Sequence, residues 1–295
     1  MSDAVRGKIA LATPSEFRAR AVSDRDEIAA FLRTDRLYAA YALGDLDGPS
    51  RSRLAWGLAV DRAGAARGLA VQHMGLAPQT LFLMGDPAAC RAILGATLRP
   101  RLAFVQATEE YRSALTDLYD LDPPVRLLRM VVDRNSFTPW AGSVERLQTR
   151  DVDDLNRLYR LGLGSGFPAS VLDEGVYYGV RANGRLVAAA GTHAINPREG
   201  LAVVGNVMTH LDYRGRGFAK AVTSAVTAEL LERVTDIALN VHASNGSAVA
   251  AYTHLGYHTH RELTEWVAGR RGAGWALTAP LRAALRWSRT NRSDP

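Results

Sequence analysis

The sequence predicts an α+β fold built from two similar units, and three observations support it. Short segments with alternating polar and apolar residues recur along the chain and are separated by helix-spaced apolar runs. The order strand, helix, hairpin, strand, helix, strand, helix, strand can be followed twice, and a length of 295 residues suits two domains. We therefore expect two domains, each a mixed, mostly antiparallel, twisted sheet flanked by helices.

The first domain is predicted to span residues 1–135. FRARAV is the opening strand, and Ser23 or Asp24 can cap the helix that follows it. LYAAYALGDL is predicted to be a second helix, and LAWGLAVD and RGLAVQHM form a hairpin around RAGAA. TLFLMGD predicts the next strand and 87–96 a helix, before LAFVQA, EEYRSALTDLY and VRLLRMVVD complete a strand, helix, strand order.

Residues 136–143 lie in the turn-rich segment RNSFTPWAGS and are predicted to be a linker to a second domain at 144–268. Here VERLQT predicts a strand and RDVDDLNRLYRLG an amphipathic helix. The pair Asn183-Gly184, between two apolar runs, is the strongest hairpin signal in the chain. The order of the first domain is then repeated. It consists of a strand in GLAVVGNVMTH, an amphipathic helix, a strand in DIALNVHA, a second helix and strand material in HTHRELTEW.

Composition narrows the class of protein. The chain is 47% hydrophobic and 22% charged, has no apolar run near the roughly 20 residues of a membrane span, and begins without the apolar core of a signal peptide. We therefore expect a cytoplasmic protein that does not bind membranes. The single cysteine, Cys90, excludes an intrachain disulfide, and the seven histidines show no helical metal-ligand spacing, so no metal is expected.

The net charge of +6 is concentrated at the C-terminus, where 269–295 hold six arginines and one acid. These residues are predicted to form a basic tail. A nucleic-acid-binding arm is the alternative interpretation, but the nearly neutral remainder of the chain favours a short surface helix with a frayed end. Nucleic acid is therefore not an expected partner.

The segment LDYRGRGFAKAV, residues 211–222, predicts an anion site, because a helix start presents unpaired N–H groups and glycines allow close approach of a ligand. The dinucleotide pattern fails because Lys220 stands at its third glycine, and the Walker pattern has no match. The equivalent segment of the first domain, LMGDPAAC, places Asp86 and Pro87 at the helix start. The acid would repel a phosphate and the proline removes an N–H donor.

The same segment fits the pattern R/Q-x-x-G-x-G/A through Arg214, Gly217 and Ala219. In this the second domain resembles the GNAT superfamily of acyl-CoA-dependent N-acyltransferases. A second segment agrees in register with the family form N-x-x-A-x-x-x-Y-x-x-x-G-F/Y, since it begins at Asn245 and contains Tyr252. The resemblance covers residues 142–268; for 15–135 it is one of topology alone, and the first domain is expected to be a degenerate copy.

The resemblance implies a site for acetyl-CoA. It implies that the last residues of the strand before the loop pair with the pantetheine arm, that the loop holds the pyrophosphate, and that the next helix adds a polar contact. The residues are Val207, Met208 and Thr209; Arg214, Gly215, Arg216, Gly217, Phe218 and Ala219; and Asn245. Tyr252 is the implied general acid that protonates the leaving thiolate. The plain alternatives are an N-cap for Asn245 and a core aromatic for Tyr252.

The general base is not determined by the sequence. Asn206 stands on the strand where many members of the family carry a glutamate. Four other side chains are candidates, along with a chain of water molecules: Asp173, Glu174, His193 and His210.

The function predicted is transfer of an acetyl or short acyl group from acyl-CoA to an amine by direct attack, with the first domain helping to shape the acceptor cleft. The alternative is a non-catalytic CoA sensor or interaction module. The acceptor, the acyl-chain preference and the oligomeric state are left open.

Overall fold

The computed structural model describes residues 16–49, 51–75, 78–161 and 166–272. In the first half, the strands are β1 (Arg18–Val22), β2 (Leu54–Val60), β3 (Ala66–His73), β4 (Gln79–Gly85), β5 (Leu102–Ala107), β6 (Tyr119–Leu121) and β7 (Val125–Asp133). The α-helices there are α1 (Arg25–Leu32), α2 (Ala40–Leu46), α3 (Pro87–Ala96) and α4 (Arg112–Thr116).

In the second half, the strands are β8 (Glu145–Arg146), β9 (Tyr177–Ala182), β10 (Arg185–Asn196), β11 (Leu201–Thr209), β12 (Asp236–His242) and β13 (His258–Arg270). The α-helices are α5 (Val152–Tyr159), α6 (Ser170–Glu174), α7 (Phe218–Leu231) and α8 (Gly246–His254). The predicted order of elements is therefore confirmed in both halves.

All strands belong to one sheet with the order β1-β2-β3-β4-β5-β13-β7-β12-β11-β10-β9-β8, and β6 pairs with β13 beside this path. Two pairs are parallel, β4 with β5 and β11 with β12, and the others are antiparallel. A helix connects the two strands of each parallel pair, as a crossover connection requires. The predicted class, an α+β fold with mixed, mostly antiparallel sheets flanked by helices, is confirmed.

The two halves exchange their last strands. Strand β7 of the first half pairs with β12 and β13 of the second, and β13 pairs in turn with β5 of the first. The sequence analysis expected two units joined by a linker and did not predict this exchange. Its physical reason is that a strand buried on both faces, such as VRLLRMVVD, carries no local signal for its partner.

Local signals were accurate at several turns and caps. Asn183 and Gly184 have φ values of 51° and 75°, the left-handed pair that a tight hairpin turn requires. Asp24 caps α1 by accepting hydrogen bonds from the N–H groups of Asp26 and Glu27. The C-terminal strand runs to Arg270, two residues into the segment predicted as a tail, and 273–295 lie outside the described residues.

Helices cover both faces of the sheet. On one face, α1 and α2 pack against strands of both halves. The contacted residues include Leu58 of β2, Leu127 of β7 and Val203 of β11. The contact is close, since a Cβ on Gly44 of α2 would lie 2.7 Å from Cβ of Ala194 in β10. Helix α2 of the first half therefore covers part of the sheet of the second half.

The second half has further cores of its own. Helices α7 and α8 pack against β10, β11 and β12 on the other face, and α5 and α6 pack against β9 and β10. Cys90 lies on the buried face of α3 in the first half, and burial raises the pKa of its thiol to about 12, in keeping with a structural role. Within the described ranges, no helix is long and apolar enough to cross a membrane.

Candidate functional site

The parallel strands β11 and β12 separate toward their carboxyl ends. They pair only where Leu201, Ala202 and Val203 face Asp236, Ile237 and Ala238. The last five residues of β11 are half-buried, whereas its first four are fully buried. We call the V-shaped opening between residues 205–209 of β11 and 240–242 of β12 the cleft.

A bulge in β11 shapes one wall of the cleft. Asn206 has a positive φ of 55°, and the register with β10 shifts at this point. Three hydrogen bonds fix the bulge: Tyr159 Oη donates to the Asn206 carbonyl at 2.7 Å, Asn206 Nδ2 donates to Tyr177 Oη at 3.2 Å, and Tyr177 Oη donates to the Thr192 carbonyl at 2.9 Å. Asn206 is therefore a structural residue that re-aims the end of β11.

The predicted anion loop lies at the start of α7. Gly215 and Gly217 both adopt left-handed φ values, 75° and 78°, and Gly217 is the N-cap residue without a side-chain cap. A Cβ on Gly215 would meet no atom of the described residues within 4 Å, and one on Gly217 would meet only Trp140 Nε1 at 3.9 Å. The backbone at this helix start thus has open space beside its two glycines, which allows an anion to approach closely.

The two arginines of the loop differ in their contacts. Arg216 Nη2 donates to the carbonyl of Asp212 at 3.2 Å, and its guanidinium lies 5.0 Å from the centre of the Tyr213 ring. Arg214 is exposed. Arg216 is therefore folded back on the loop, whereas Arg214 extends into solvent.

Trp140, from the predicted linker, lies beside this loop. Its main-chain N–H donates to Ser224 Oγ of α7 at 2.8 Å, and the ammonium of Lys220 lies 3.8 Å from its ring centre. The ring also makes an edge contact with His254 of α8, with centroids 5.0 Å apart. The linker is thus anchored across α7 and α8, which the sequence analysis missed; a tryptophan within a turn-rich segment was the available signal.

Helix α8 begins with Asn245 and brings Tyr252 to the cleft. Asn245 Oδ1 accepts from the N–H of Ala248 at 3.0 Å, so its N-cap interpretation is confirmed. Tyr252 is 7% exposed and contacts Tyr257 at a centroid distance of 6.0 Å. Burial, with a smaller effect of Tyr41, raises the pKa of Tyr252 above its usual value, so the phenol is protonated at neutral pH.

Tyr41 of α2 reaches the cleft from the opposite face and was missed by the sequence analysis. The guanidinium of the buried Arg129 lies 4.6 Å from its ring centre. Burial raises the pKa of Tyr41, while Arg129 and a hydrogen bond from the backbone of Asn240 oppose that increase. Asn240 belongs to β12, and the phenol of Tyr41 also contributes to the raised pKa of Tyr252. The first half therefore contributes a side chain to the cleft of the second.

The four base candidates occupy different places. His193 lies on the face covered by α2, with its side chain 45% exposed. His210 is part of the loop region, where its Nδ1 accepts from the N–H of Asp212 at 3.3 Å. Asp173 and Glu174 are exposed at the end of α6, and Asp173 accepts a hydrogen bond from Thr149.

Of the four, only His193 contacts a residue that reaches the cleft, namely Tyr41. Among the residues described, no three His, Cys, Asp or Glu side chains lie close enough together to hold a metal ion.

The equivalent place in the first half is closed. Asp86 Oδ1 accepts from the N–H groups of Ala88 and Ala89 at 2.7 and 3.2 Å, and Pro87 occupies the first turn of α3. Tyr111 Oη donates to the carbonyl of Gly85 at 2.6 Å. The helix start that would hold an anion is therefore capped by the chain itself.

Comparison with known proteins agrees with this geometry. Residues 177–267 match a family model described as FR47-like protein. No curated protein gave a significant match to the sequence.

Three solved structures are similar over most of the chain. A tandem GNAT protein from the clavulanic acid biosynthesis pathway is 14% identical and has a TM-score of 0.56, covering 88% of this chain and 99% of its own. A GCN5-related N-acetyltransferase from Sphaerobacter thermophilus is 18% identical, with a TM-score of 0.58 and coverage of 87% and 96%. One from Kribbella flavida is 16% identical, with a TM-score of 0.57 and coverage of 82% and 96%.

At these identities the structural similarity shows the fold alone, which is a GNAT fold present twice in one chain. The match to the FR47-like family model lies in the second half, and the matched region includes both walls of the cleft and the glycine loop.

Proposed function

We propose that the second half of the chain is an acyltransferase that moves an acetyl or other short acyl group from acyl-CoA to an amine. The observation that carries this proposal is the uncapped start of α7, with two left-handed glycines, next to a cleft between diverging strands. An anionic group at the loop, continued by an arm that enters the cleft, matches the shape and charge of coenzyme A.

In this proposal the cofactor makes three sets of contacts. The pyrophosphate accepts hydrogen bonds from the backbone of Arg214, Gly215, Arg216, Gly217, Phe218 and Ala219, each favourable contact with the helix dipole being worth roughly 0.3–1 kcal/mol. The pantetheine arm pairs with Val207, Met208 and Thr209 like an added strand. Asn245 contributes its side-chain amide, since its oxygen already caps α8.

The chemistry is a direct transfer. The amine nitrogen attacks the thioester carbon, backbone N–H groups near Val207 hold the developing oxyanion, and the carbon–sulfur bond breaks as the tetrahedral intermediate collapses. Tyr252 gives its proton to the thiolate. Burial raises the pKa of Tyr252, so the phenol keeps its proton until the thiolate forms beside it.

The proposed division is a degenerate first domain at 1–135, a linker at 136–143, a transferase domain at 144–268 and a basic tail at 269–295. The first domain lacks an accessible anion loop, and its helix α2 covers part of the sheet of the second domain. We therefore assign it a supporting part on the acceptor side of the cleft.

Two measurements on the full chain test the proposal. Acetyl-CoA should raise the thermal midpoint, and free CoA should be released when a panel of primary amines is added. Binding without release for any amine would favour the alternative, a non-catalytic acetyl-CoA-binding protein. Failure of acetyl-CoA to bind would exclude both.

A further inference from the structure

Three side chains meet on the α2 face of the cleft. His193 of β10 packs against the ring of Tyr41 with centroids 4.9 Å apart, and its Nε2 lies 3.7 Å from Asp45 Oδ2. Tyr41 and Asp45 are four residues apart on α2, so both lie on the same side of that helix. A helix of the first half thus holds a histidine of the second from two sides.

A bulge turns His193 out of the sheet. In the pairing of β10 with β11, Thr192 faces Val204 and Ala194 faces Val203, so His193 is the extra residue between them. Bulges of this kind re-aim a side chain and occur often beside active sites. Two paired strands therefore each have a bulge near the cleft, β11 at Asn206 and β10 at His193.

The histidine lies close to the point where the thioester is proposed to sit. A Cβ on Gly205 would lie 3.7 Å from the Cβ of His193, and Gly205 is two residues before Val207. The side chain of His193 is 45% exposed and that of Asp45 is 21% exposed, so a solute can reach both. Tyr41 extends from His193 to the backbone of Asn240 and so spans the mouth of the cleft.

The charges around His193 come from few sources. From α2 it faces Tyr41 and Asp45, and from β11 its neighbour is the uncharged Gly205. The guanidinium of Arg129 contacts the Tyr41 ring. On the side of β9, the hydroxyl of Tyr177 is already bonded to the Thr192 carbonyl.

We propose that His193 is the general base of the transfer and that Asp45 is a positioning residue that fixes its ring and favours a cationic acceptor. This inference rests on the proposed function. The acceptor is then a primary amine that is an ammonium ion in solution. One imidazole nitrogen takes a proton from the ammonium, the freed nitrogen lone pair bonds to the thioester carbon, the carbon–sulfur bond breaks, and the thiolate takes the phenol proton of Tyr252. The nitrogen of the new amide gives its extra proton to the Tyr252 phenolate, and the imidazolium releases its proton to solvent.

The test compares two nucleophiles in the full chain. Acetyl transfer to an alkylamine, which is protonated at neutral pH, needs the base, whereas transfer to hydroxylamine, which is neutral, does not. His193→Gln should lower kcat for the alkylamine by about 10²-fold and change kcat for hydroxylamine by no more than about threefold. Asp45→Asn should lower the alkylamine rate by a smaller factor, on the order of 10-fold, with the same selectivity. His73→Gln, at the end of β3, is the matched control and should change neither rate.

A pH profile provides a second readout. For the alkylamine, kcat/KM of the wild-type chain should rise with pH along an acid limb, and this limb should be missing in His193→Gln. Equal losses with both nucleophiles, or an unchanged pH limb, would overturn the assignment while leaving the transferase proposal intact. A wild-type chain that binds acetyl-CoA but acetylates neither nucleophile would overturn both.

Discussion

The starts of α3 and α7 occupy the same position in the two halves of the chain but have opposite chemistry. At α3 the carboxylate of Asp86 takes two N–H groups of the first turn, and Pro87 removes a third donor. At α7 the cap is Gly217, which has no side chain to offer, and the space beside it is open. One fold thus carries a self-capped helix start and a ligand-ready one, and the difference lies in two residues.

The same contrast appears seven residues after each following cap. Counting from Asn245, the seventh residue is Tyr252 at the cleft; counting from Thr108, it is Leu115, which is fully buried in an apolar core. The first half therefore has packing residues at positions where the second half has the residues proposed to bind and react. This teaches that a duplicated fold can serve as a scaffold for its partner.

The two halves also depend on each other physically. Glu199 of the second half is buried and forms ion pairs with Arg25, at the start of α1, and Arg33, directly after its end, both at 2.8 Å. Arg33, with Arg25, holds the pKa of Glu199 below its usual value although burial opposes this. Because of the exchanged strands and these ion pairs, we expect the two halves to unfold together in one cooperative transition.

The largest effect that can test this dependence is removal of the exchanged strand. Fragment 142–295 lacks β5, β6 and β7, so β12 loses one neighbour and β13 loses all three strands with which it pairs. We expect it to be unfolded by circular dichroism, whereas fragment 122–295, which retains β7, should keep more strand and helix signal. A cooperative thermal transition in 142–295 would show that the halves are independent.

The expectation that fragment 142–295 is unfolded comes from the strand pairing in the structure. The sequence predicted the linker and both element orders, because caps such as Asp24 and turns such as Asn183-Gly184 act within a few residues. It did not predict that β7 pairs with β12, because partner choice among apolar strands is decided by long-range packing. From the sequence alone, 142–295 would have been expected to fold.

The candidate site divides in the same way. The loop at 214–219 and Tyr252 were predicted because each belongs to a pattern with fixed spacing. Tyr41 and Trp140 were not predicted, since they reach the site from α2 and from the linker and carry no local pattern. His193 was one candidate among four until the bulge in β10 showed where it lies.

The contrast between Tyr252 and Leu115 can be tested by removing one hydroxyl. Tyr252→Phe keeps the ring in its core position, so affinity for acetyl-CoA and the free energy of unfolding should change little, while kcat falls by about 10²-fold or more. Steady-state CoA release and calorimetric titration measure the two. Tyr257→Phe, which breaks a buried hydrogen bond to Thr227, is the control and should cost stability without this fall. Full turnover in Tyr252→Phe would remove the proton-donor role.

The contrast between the two helix starts can be broken from the α7 side. Acetyl-CoA at about 100 times its dissociation constant should stabilise the chain by roughly 2.7 kcal/mol. Gly217→Glu should abolish that shift by placing a carboxylate against the pyrophosphate. Gly64→Glu is a matched control, because Gly64 also has a left-handed φ of 85° and open space around it but lies in the turn between β2 and β3. A preserved shift in Gly217→Glu would place the cofactor elsewhere.

The smallest effect is expected from the α3 side. Asp86→Ala removes the cap from the first turn of α3 and should lower the free energy of unfolding by about 1 kcal/mol, measured by urea denaturation. It should not create a second acetyl-CoA site, because a Cβ on Gly85 would already lie 2.3 Å from the carbonyl of Arg67 and Tyr111 bonds the carbonyl of Gly85. The stabilisation by acetyl-CoA and the stoichiometry in a calorimetric titration should therefore equal those of the wild-type chain. A stoichiometry of two in Asp86→Ala would mean that the cap alone closes the first half, and loss of acetyl-CoA binding would mean that the site lies at α3.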